Sequence, residues 1–266
     1  MSALSSPCWA RRYGMLLACL GLMQKEKEEK TCLNGFCHAD LRPSNILLGL
    51  QSLGGLSEED VFARLGEPET TNICVREDPD LSSEIPYAPK YLVYSAGFDI
   101  ESILPQAHII DFGQSFDLSQ PAPTSYGIPI NYSAPEVVID NRGSAAMDIW
   151  ALGCTLFEIR AGERLFNVFQ SGNIPPAKDD YVDKLAFLLE RTDSIFKKLA
   201  RCHINCKGMY CDHRDKEKRK KLRFQLISEP EAKIFADLLE RLLRWRAEER
   251  PSLDEVLEHA WFKTSF

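Results

Sequence analysis

Residues 38–45 read HADLRPSN and run directly into the apolar residues Ile46-Leu47-Leu48. Residues 108–113 read HIIDFG, in which an apolar pair is followed by Asp111-Phe112-Gly113. Short apolar runs that are bounded by turn-forming residues predict strands. A loop between two such strands is expected to bring its polar side chains together at one edge.

Four of these polar side chains match the requirements of phosphoryl transfer. The reaction needs a carboxylate that orients the attacking hydroxyl, a cation at the transferring phosphate and oxygen ligands for Mg²⁺. Asp40 can supply the carboxylate and Arg42 the cation, while Asn45 and Asp111 can supply the metal ligands. Each motif alone also fits a turn Asp, a solvated Arg or a capping Asn. Their order, each beside a β-type run, favours the catalytic interpretation.

Three further motifs follow along the chain, namely Ala134-Pro135-Glu136, Asp148-x-Trp150-x-x-Gly153 and Arg250-Pro251. With these motifs the sequence resembles a eukaryotic protein kinase from the catalytic loop to the C-terminus, over residues 12–262. Small-molecule kinases such as aminoglycoside and choline kinases share the first two motifs. The downstream block belongs to protein kinases and favours that class.

The resemblance implies ATP and Mg²⁺ as cofactors and assigns roles to individual residues. The catalytic pair is Asp40 and Arg42. The nucleotide is expected to contact Asn45, Leu47 and Asp111, with Mg²⁺ held by Asn45 and Asp111. The positions implied to support the site are His38, Phe112, Gly113, Glu136, Asp148 and Arg250. Among them, Glu136 and Arg250 are implied to form a buried ion pair that anchors the substrate-binding loop.

The implied fold is mainly α, the C-terminal lobe of the α+β kinase fold, with short β-strands around the catalytic loop. We expect a single kinase-like domain over residues 1–266. It would carry one insert at 49–107, between the catalytic loop and Asp-Phe-Gly, and another at 195–228, before the last two helices. The first insert is much longer than most loops in compact domains.

The N-terminal lobe is expected to be missing. No Gly-x-Gly-x-x-Gly loop precedes residue 38, and Lys25, Lys27 and Lys30 lie too near the catalytic loop to act as the strand-borne Lys. In kinases those parts cover and align the phosphates. We therefore expect protein Ser/Thr kinase-type phosphoryl transfer that is impaired in this chain. The alternative is a catalytically inactive pseudokinase or scaffold. The expected partners of the chain are a protein substrate or a protein partner and an N-lobe supplied in trans, with no specific nucleic acid and no membrane.

The long insert is similar to the split arrangement of SR-protein kinases, especially their fungal relatives. The stretches Leu65-Gly66-Glu67-Pro68-Glu69-Thr70 and Ala88-Pro89-Lys90-Tyr91 also resemble that group.

Two positions depart from the common kinase pattern. Ala39 stands where many kinases carry an Arg that binds a phosphorylated activation loop, so control through Thr124 or Ser125 is not expected. Arg42 replaces the commoner Lys and keeps the charge on a wider, planar head.

Composition excludes several classes of protein. A formal net charge of −7 argues against a protein built mainly to bind nucleic acid. The nine cysteines are odd in number and irregularly spaced, which favours a reducing cytoplasmic or nuclear compartment. The apolar run at residues 15–23 follows two arginines as a secretion signal would, but a helix over residues 9–24 is the simpler interpretation. The run is too short to cross a membrane.

Helical patterns dominate after residue 113. Residues 145–161 are apolar nearly all round, which predicts a helix in the interior of the domain. Two more helices are predicted at 179–200 and 230–245. Ser252 with Glu255, like Ser57 with Asp60, has the spacing of a helix-capping box.

A cluster of soft ligands lies at Cys202, His203, Cys206, Cys211 and His213. Its spacing does not match a paired-ligand zinc pattern and has no second half, so a surface insertion is favoured over a zinc site.

Overall fold

The computed structural model describes residues 35–73, 89–94, 102–168, 178–189, 195, 199 and 227–264. In chain order, the strands are β1 Phe36–Cys37, β2 Ile46–Leu50, β3 Thr70–Asn72, β4 Tyr91–Val93, β5 Ile103–Ile109 and β6 Phe116–Asp117. The helices are α1 Glu58–Leu65, α2 Pro135–Asp140, α3 Ala145–Ala161, α4 Lys178–Leu189, α5 Glu229–Leu242, α6 Leu253–Leu257 and α7 Ala260–Lys263. These residues form two compact units, residues 50–103 and the remainder.

Helix α3 is the centre of the larger unit. Thirteen of its 17 residues are buried, as the all-round apolar pattern predicts. The side chain of Ser144 caps its start by accepting from the amide of Ala146 at 3.3 Å. Gly162 ends it in the left-handed conformation with φ at +82°, which glycine adopts without a steric penalty. The catalytic loop, α5 and the turn at residues 247–249 all pack against α3.

Helix α5 crosses α3 beside Gly153. A Cβ atom at Gly153 would lie 3.1 Å from the Cβ of Leu242, so this glycine permits the close approach of the two helices. Two turns further along α3, Arg160 donates to both carboxylate oxygens of Glu231 at 2.5 and 2.6 Å. Since both side chains are largely buried, this ion pair adds a polar contact to the apolar packing of the two helices.

Two small β-pairs hold the loops of the candidate site. Strand β2 pairs with β5, and strand β1 pairs with β6 in antiparallel register, with Cys37 opposite Phe116. The amide of Ile110, just after β5, donates to the carbonyl of Asn45, just before β2, at 2.9 Å. The two motifs that lie 60 residues apart in the chain therefore meet at one edge of the β2–β5 pair, as expected for a loop between two short strands.

The smaller unit consists of α1 and the antiparallel pair β3–β4. The Ser57 side chain accepts from the amide of Asp60 at 3.2 Å and so caps α1 as its spacing predicts. Only the helix start at Ser57 was predicted within the insert at 49–107, and β3 and β4 were missed. The reason is their length of three residues each, too short for a period-two pattern to be visible. None of the described residues of this unit is buried.

The helix predicted to open at Ser252 and to end near His259 is observed as α6. The capping box is present, because the Ser252 side chain accepts from the Glu255 amide and the Glu255 carboxylate accepts from the Ser252 amide. The short helix α7 that follows was not predicted. His259 has an extended backbone, and its Nδ1 accepts from the amide of Trp261 at 3.2 Å, so it begins a new helix instead of ending the old one.

Several predictions fall outside the described residues. These are the helix at 9–24, part of the insert at 49–107, and nearly all of the insert at 195–228, including the Cys202–His213 cluster. The helix predicted over 179–200 is observed as Lys178–Leu189, and beyond it only Ile195 and Leu199 are described, both buried. Among the described residues, no helix combines the length and the apolar character needed to span a bilayer.

Candidate active site

The catalytic loop directs three predicted site residues at one another. Asp40 is 6% exposed, and its carboxylate accepts from Asn45 Nδ2 at 2.9 Å. Both of its oxygens also accept from Arg42 Nε, at 3.1 and 3.2 Å. A carboxylate held by a neutral amide on one side and a guanidinium on the other has little freedom to rotate. The loop thus presents Asp40 in a fixed orientation.

The amide of Asn45 has a defined orientation. Its Nδ2 donates to the backbone carbonyl of Asp40 at 2.8 Å as well as to the Asp40 carboxylate. Because both partners can only accept, the nitrogen must face them, and the amide oxygen remains available as a ligand on the other side. This is the atom that a hard cation such as Mg²⁺ would use.

His38 connects the catalytic loop to the stretch before Asp111. Its Nε2 lies 3.1 Å from the carbonyl of Ile110, and its Nδ1 accepts from the amide of Asp40 at 3.2 Å. A carbonyl accepts and an amide donates, so the neutral ring carries its proton on Nε2. The ring also meets the ring of Phe112 edge to face, with centroids 4.7 Å apart. His38 therefore ties Asp-Phe-Gly to the catalytic loop.

Asp148, on α3, supports the catalytic loop from within the core. Its carboxylate accepts from the amides of His38 at 2.6 Å and of Ala39 at 2.9 Å. Burial raises the pKa of this carboxyl above its ordinary value, and the two amide donors partly oppose the shift. Ala39 lies between these contacts with φ at +61°, a left-handed conformation that costs a non-glycine residue about 1 kcal/mol. The Asp148 carboxylate offsets that cost.

Asp111 and Leu47 lie on the open side of the site. Asp111 is exposed and also left-handed, with φ at +66°, and a Cβ at Gly113 would come within 3.3 Å of its carboxylate. Leu47 is 50% exposed and Phe112 is 45% exposed. Non-glycine residues in this conformation persist where the surroundings dictate them, which is common at functional sites. The exposed Leu47 offers an apolar surface of the kind that an adenine ring would cover.

Glu136 and Arg250 form a bidentate ion pair 114 residues apart in the chain. Arg250 NH1 and NH2 each donate to one oxygen of Glu136 at 2.7 Å. The remaining guanidinium hydrogens point to the carbonyls of Arg244, Ala146 and Trp245. All five donors of this fully buried side chain therefore have acceptors, which satisfies the requirement for burying a guanidinium. The pair fastens the start of α2 to the segment before α6.

The sequence analysis missed two contacts of the catalytic loop. The hydroxyl of Thr155 on α3 donates to the carbonyl of Leu41 at 3.3 Å, and Cys37 Sγ donates to the carbonyl of Ser144 at 3.6 Å. Thr155 follows Asp148 by seven residues, two helical turns on the same face, so that spacing was a usable signal. No comparable signal marked Cys37; burial raises the pKa of its thiol and keeps it protonated.

The donors at this site suit Mg²⁺. A carboxylate at Asp111 and an amide oxygen at Asn45 are both hard oxygen ligands, and Mg²⁺ is commonly held by one or two protein ligands plus substrate phosphates. No group of three or more His, Cys, Asp or Glu side chains with metal-binding geometry occurs in the described part of the chain. A metal held by Asn45 and Asp111 would therefore take its remaining ligands from phosphate and water.

Comparison with known proteins identifies a family. The sequence profile of the protein kinase domain matches residues 101–262, which is more than half of the chain. The match begins within the segment between the two site motifs, so residues 38–45 lie outside it. The glutamate and the arginine of the buried ion pair both lie inside it.

Two curated relatives are similar to most or much of the chain. The dual specificity tyrosine-phosphorylation-regulated kinase mbk-2 of Caenorhabditis briggsae is 26% identical over 94% of this chain, which covers 25% of that protein. The cyclin-dependent kinase G-2 of Oryza sativa subsp. indica is 31% identical over 58% of this chain and 22% of that protein. The chain thus spans about a quarter of the length of these relatives.

One solved structure, titled as the crystal structure of a kinase domain, is also similar. It is 20% identical and covers 94% of this chain and 66% of that chain, with a TM-score of 0.48.

Proposed function

Because this chain belongs to the protein kinase domain family, we propose that it supports transfer of the γ-phosphoryl group of ATP to Ser or Thr hydroxyls of proteins. The observation that carries this proposal is the orientation of Asp40. Its carboxylate is buried and held by Asn45 and Arg42, and the carbonyl of Asn45 accepts from the amide of Ile110, the residue before Asp111.

In the proposed reaction Asp40 orients the substrate hydroxyl and accepts its proton as the oxygen attacks phosphorus. Arg42 contacts Asp40 only through Nε, so its two terminal nitrogens remain to donate to a phosphate. The Arg42 side chain is 33% exposed, so a phosphate can reach these nitrogens. Asn45 serves twice, because its nitrogen holds Asp40 and its oxygen is free for a metal.

Asn45 and Asp111 would hold Mg²⁺, and Leu47 would lie under the adenine. When bound, Mg²⁺ neutralises charge on the β- and γ-phosphates. The chain's own contribution is to fix the two oxygen ligands. The hydrogen bond from the Ile110 amide to the Asn45 carbonyl ties the backbone of one ligand to that of the other.

Residues 1–37 contain no Gly-x-Gly-x-x-Gly loop of the kind that covers the phosphates in kinases, so we expect weak transfer from these 266 residues when no N-lobe is added. An N-lobe added in trans is expected to raise the rate. The competing proposal is a binding module that uses the same lobe as a scaffold, and the exposed apolar side chains of Leu47 and Phe112 favour it as a surface for a protein partner.

The subgroup is a further proposal. The relatives are kinases of the tyrosine-phosphorylation-regulated and cyclin-dependent groups, which places the chain near CMGC-type kinases. Within that group, the insert between the two site motifs supports the SR-protein-kinase-like assignment. A protein substrate and a cytoplasmic or nuclear location are proposed with it.

The test is the melting temperature of the purified chain with and without MgATP. Ligand that binds only the folded state raises the melting temperature. We expect a rise for the unaltered chain, none for Asp111→Ala, and an undiminished rise for the control Asp140→Ala. Asp140 is exposed at the C-terminal end of α2, away from the two motifs.

Transfer is then measured as labelled phosphate passed from ATP to a generic protein substrate. Transfer that Asp40→Asn abolishes without changing the MgATP-induced shift would support the catalytic proposal. A cooperative melt that MgATP does not move, together with no transfer, would favour the binding module.

A further inference from the structure

The segment between Asp111-Phe112-Gly113 and Ala134-Pro135-Glu136 is fastened by side chains that fit over glycines. The hydroxyl of Tyr126 accepts from the amide of Gly143 at 2.9 Å. The Tyr126 ring occupies the space that a side chain at residue 143 would need, since a Cβ there would lie 2.5 Å from two ring carbons. The backbone of Gly143 has an ordinary φ and could be adopted by other residues. Glycine is required because the Tyr126 ring leaves no space for a Cβ atom.

The same arrangement occurs a second time in this segment. Gln114 Oε1 accepts from the amide of Gly127 at 3.1 Å, and a Cβ at Gly127 would lie 2.7 Å from the Gln114 amide. In a third contact, Nδ2 of Asn141, in the turn after α2, donates to the carbonyl of Thr124. These three contacts fasten residues 114–127 to each other and to the turn that follows α2. All of them are made by neutral side chains.

Tyr126 lies immediately before the segment that leads into α2. The Ser133 hydroxyl donates to the carbonyls of Ile128 and Pro129 at 3.3 and 3.2 Å, which closes the turn after Tyr126. The carbonyl of Ser133 in turn accepts from the Tyr181 hydroxyl at 2.6 Å. A shift of Tyr126 would therefore be transmitted to residues 128–133, whose far end is anchored to the core.

We propose that Tyr126 is a positioning residue that, through its fit over Gly143, holds residues 114–133 in place for a protein substrate without any added phosphate. The proposal rests on the proposed function for the identity of that ligand. The geometry of the catalytic loop agrees with it, because Ala39 is fully buried and uncharged and offers no cation to a phosphate. Thr124 and Ser125 are exposed, and the contacts of the segment do not involve their hydroxyls.

The first test is a double-mutant cycle read by amide hydrogen exchange. Gly143→Ala places a methyl group against the Tyr126 ring, so we expect exchange in residues 114–133 to accelerate on the order of tenfold. In a Tyr126→Ala background the clash is gone, and Gly143→Ala should add no more than about twofold. An equal effect of Gly143→Ala in both backgrounds would overturn the proposal.

The second test separates substrate binding from chemistry. Tyr126→Phe removes only the hydroxyl, and we expect KM for a protein substrate to rise about fivefold while KM for ATP stays unchanged. Tyr91→Phe, on the exposed strand β4, is the matched control and should change neither constant. A lower kcat at unchanged protein KM would contradict a positioning role. Absence of transfer by the unaltered chain would count against the proposed function, whereas the exchange cycle decides the role of Tyr126 independently.

Discussion

At the scale of single residues, Asp148 shows how a buried charge supports the site. Its two oxygens accept from the amides of adjacent residues, His38 and Ala39, and this pair of contacts allows the catalytic loop to turn with Ala39 in the left-handed region. The carboxylate also lies deep enough for desolvation to outweigh its donors, which is why its pKa is raised. Burying the ionised carboxylate is unfavourable, but its two hydrogen bonds fix the conformation of the catalytic loop.

The raised pKa of Asp148 predicts that its contribution to the free energy of unfolding changes with pH in a defined direction. A carboxyl whose folded pKa exceeds its unfolded value of 3.8 binds its proton more tightly in the folded state. Its contribution to the free energy of unfolding is therefore largest at low pH and falls as pH rises through the folded pKa. The stability of the unaltered chain minus that of Asp148→Asn should decrease from pH 4 upward and then become constant. Urea unfolding of both proteins between pH 4 and 8 measures it, and a difference that grows with pH would refute it.

At the scale of secondary-structure elements, α3 connects the interior to the site. One face carries Asp148 and Thr155 to the catalytic loop, while another receives α5 at Gly153. The glycine is costly in a helix, by about 1 kcal/mol relative to alanine. Its presence follows from the contact distance, because the nearest atom on α5 is the Cβ of Leu242, which cannot move without its backbone.

Gly153→Ala sets two effects of opposite sign against each other. The gain in helix propensity is about 1 kcal/mol, and the strain of inserting a methyl group into a packed interface is about 1–3 kcal/mol. We expect the strain to win, with a net loss of about 1 kcal/mol in the free energy of unfolding measured by denaturant titration. A more stable variant would show instead that α5 can move away from α3 at little cost.

At the scale of the whole unit, the ion pair of Glu136 and Arg250 joins the start of α2 to the C-terminal helices. The pair is bidentate, and the guanidinium also lies over the ring of Trp150, 5.1 Å from its centroid. Removing one partner would leave the other charge buried without compensation, since the Arg250 side chain is fully inaccessible. Breaking such a pair is strongly destabilising.

Arg250→Ala should therefore lower the free energy of unfolding by about 3–5 kcal/mol. Arg250→Lys keeps the charge but cannot reach both carboxylate oxygens and three carbonyls, so its loss should be smaller but still measurable. The control is Arg246→Ala, because Arg246 is mostly exposed and its pair with Glu249 is long, at 4.0 Å. A surface pair of this kind contributes less than about 1 kcal/mol. Equal effects at the two arginines in thermal or chemical unfolding would contradict the assignment.

Much of the secondary structure could be predicted because its causes are local. Helix α3 follows from an all-round apolar pattern, and α1 and α6 follow from the spacing of their capping residues. The short helix α7 could not be predicted in this way. Its first residue, His259, is held by a contact of Nε2 with Asp237 on α5, a residue distant in the chain. The three-residue strands β3 and β4 were missed because so few residues carry no periodicity. The domain boundaries and the roles of the site residues remain predictions.

The sequence by itself determined which residues form the candidate site, since HADLRPSN and Asp-Phe-Gly are contiguous motifs whose chemistry can be recognised without coordinates. The tertiary structure decided how those residues face one another. Only the packed chain shows that Arg42 binds Asp40 through Nε, that His38 Nε2 faces the carbonyl of Ile110, and that Tyr126 fits over Gly143. These are distances and directions between atoms that folding brings together. The sequence specifies which functional groups the site residues carry, whereas the packing of the chain decides which of these groups come into contact.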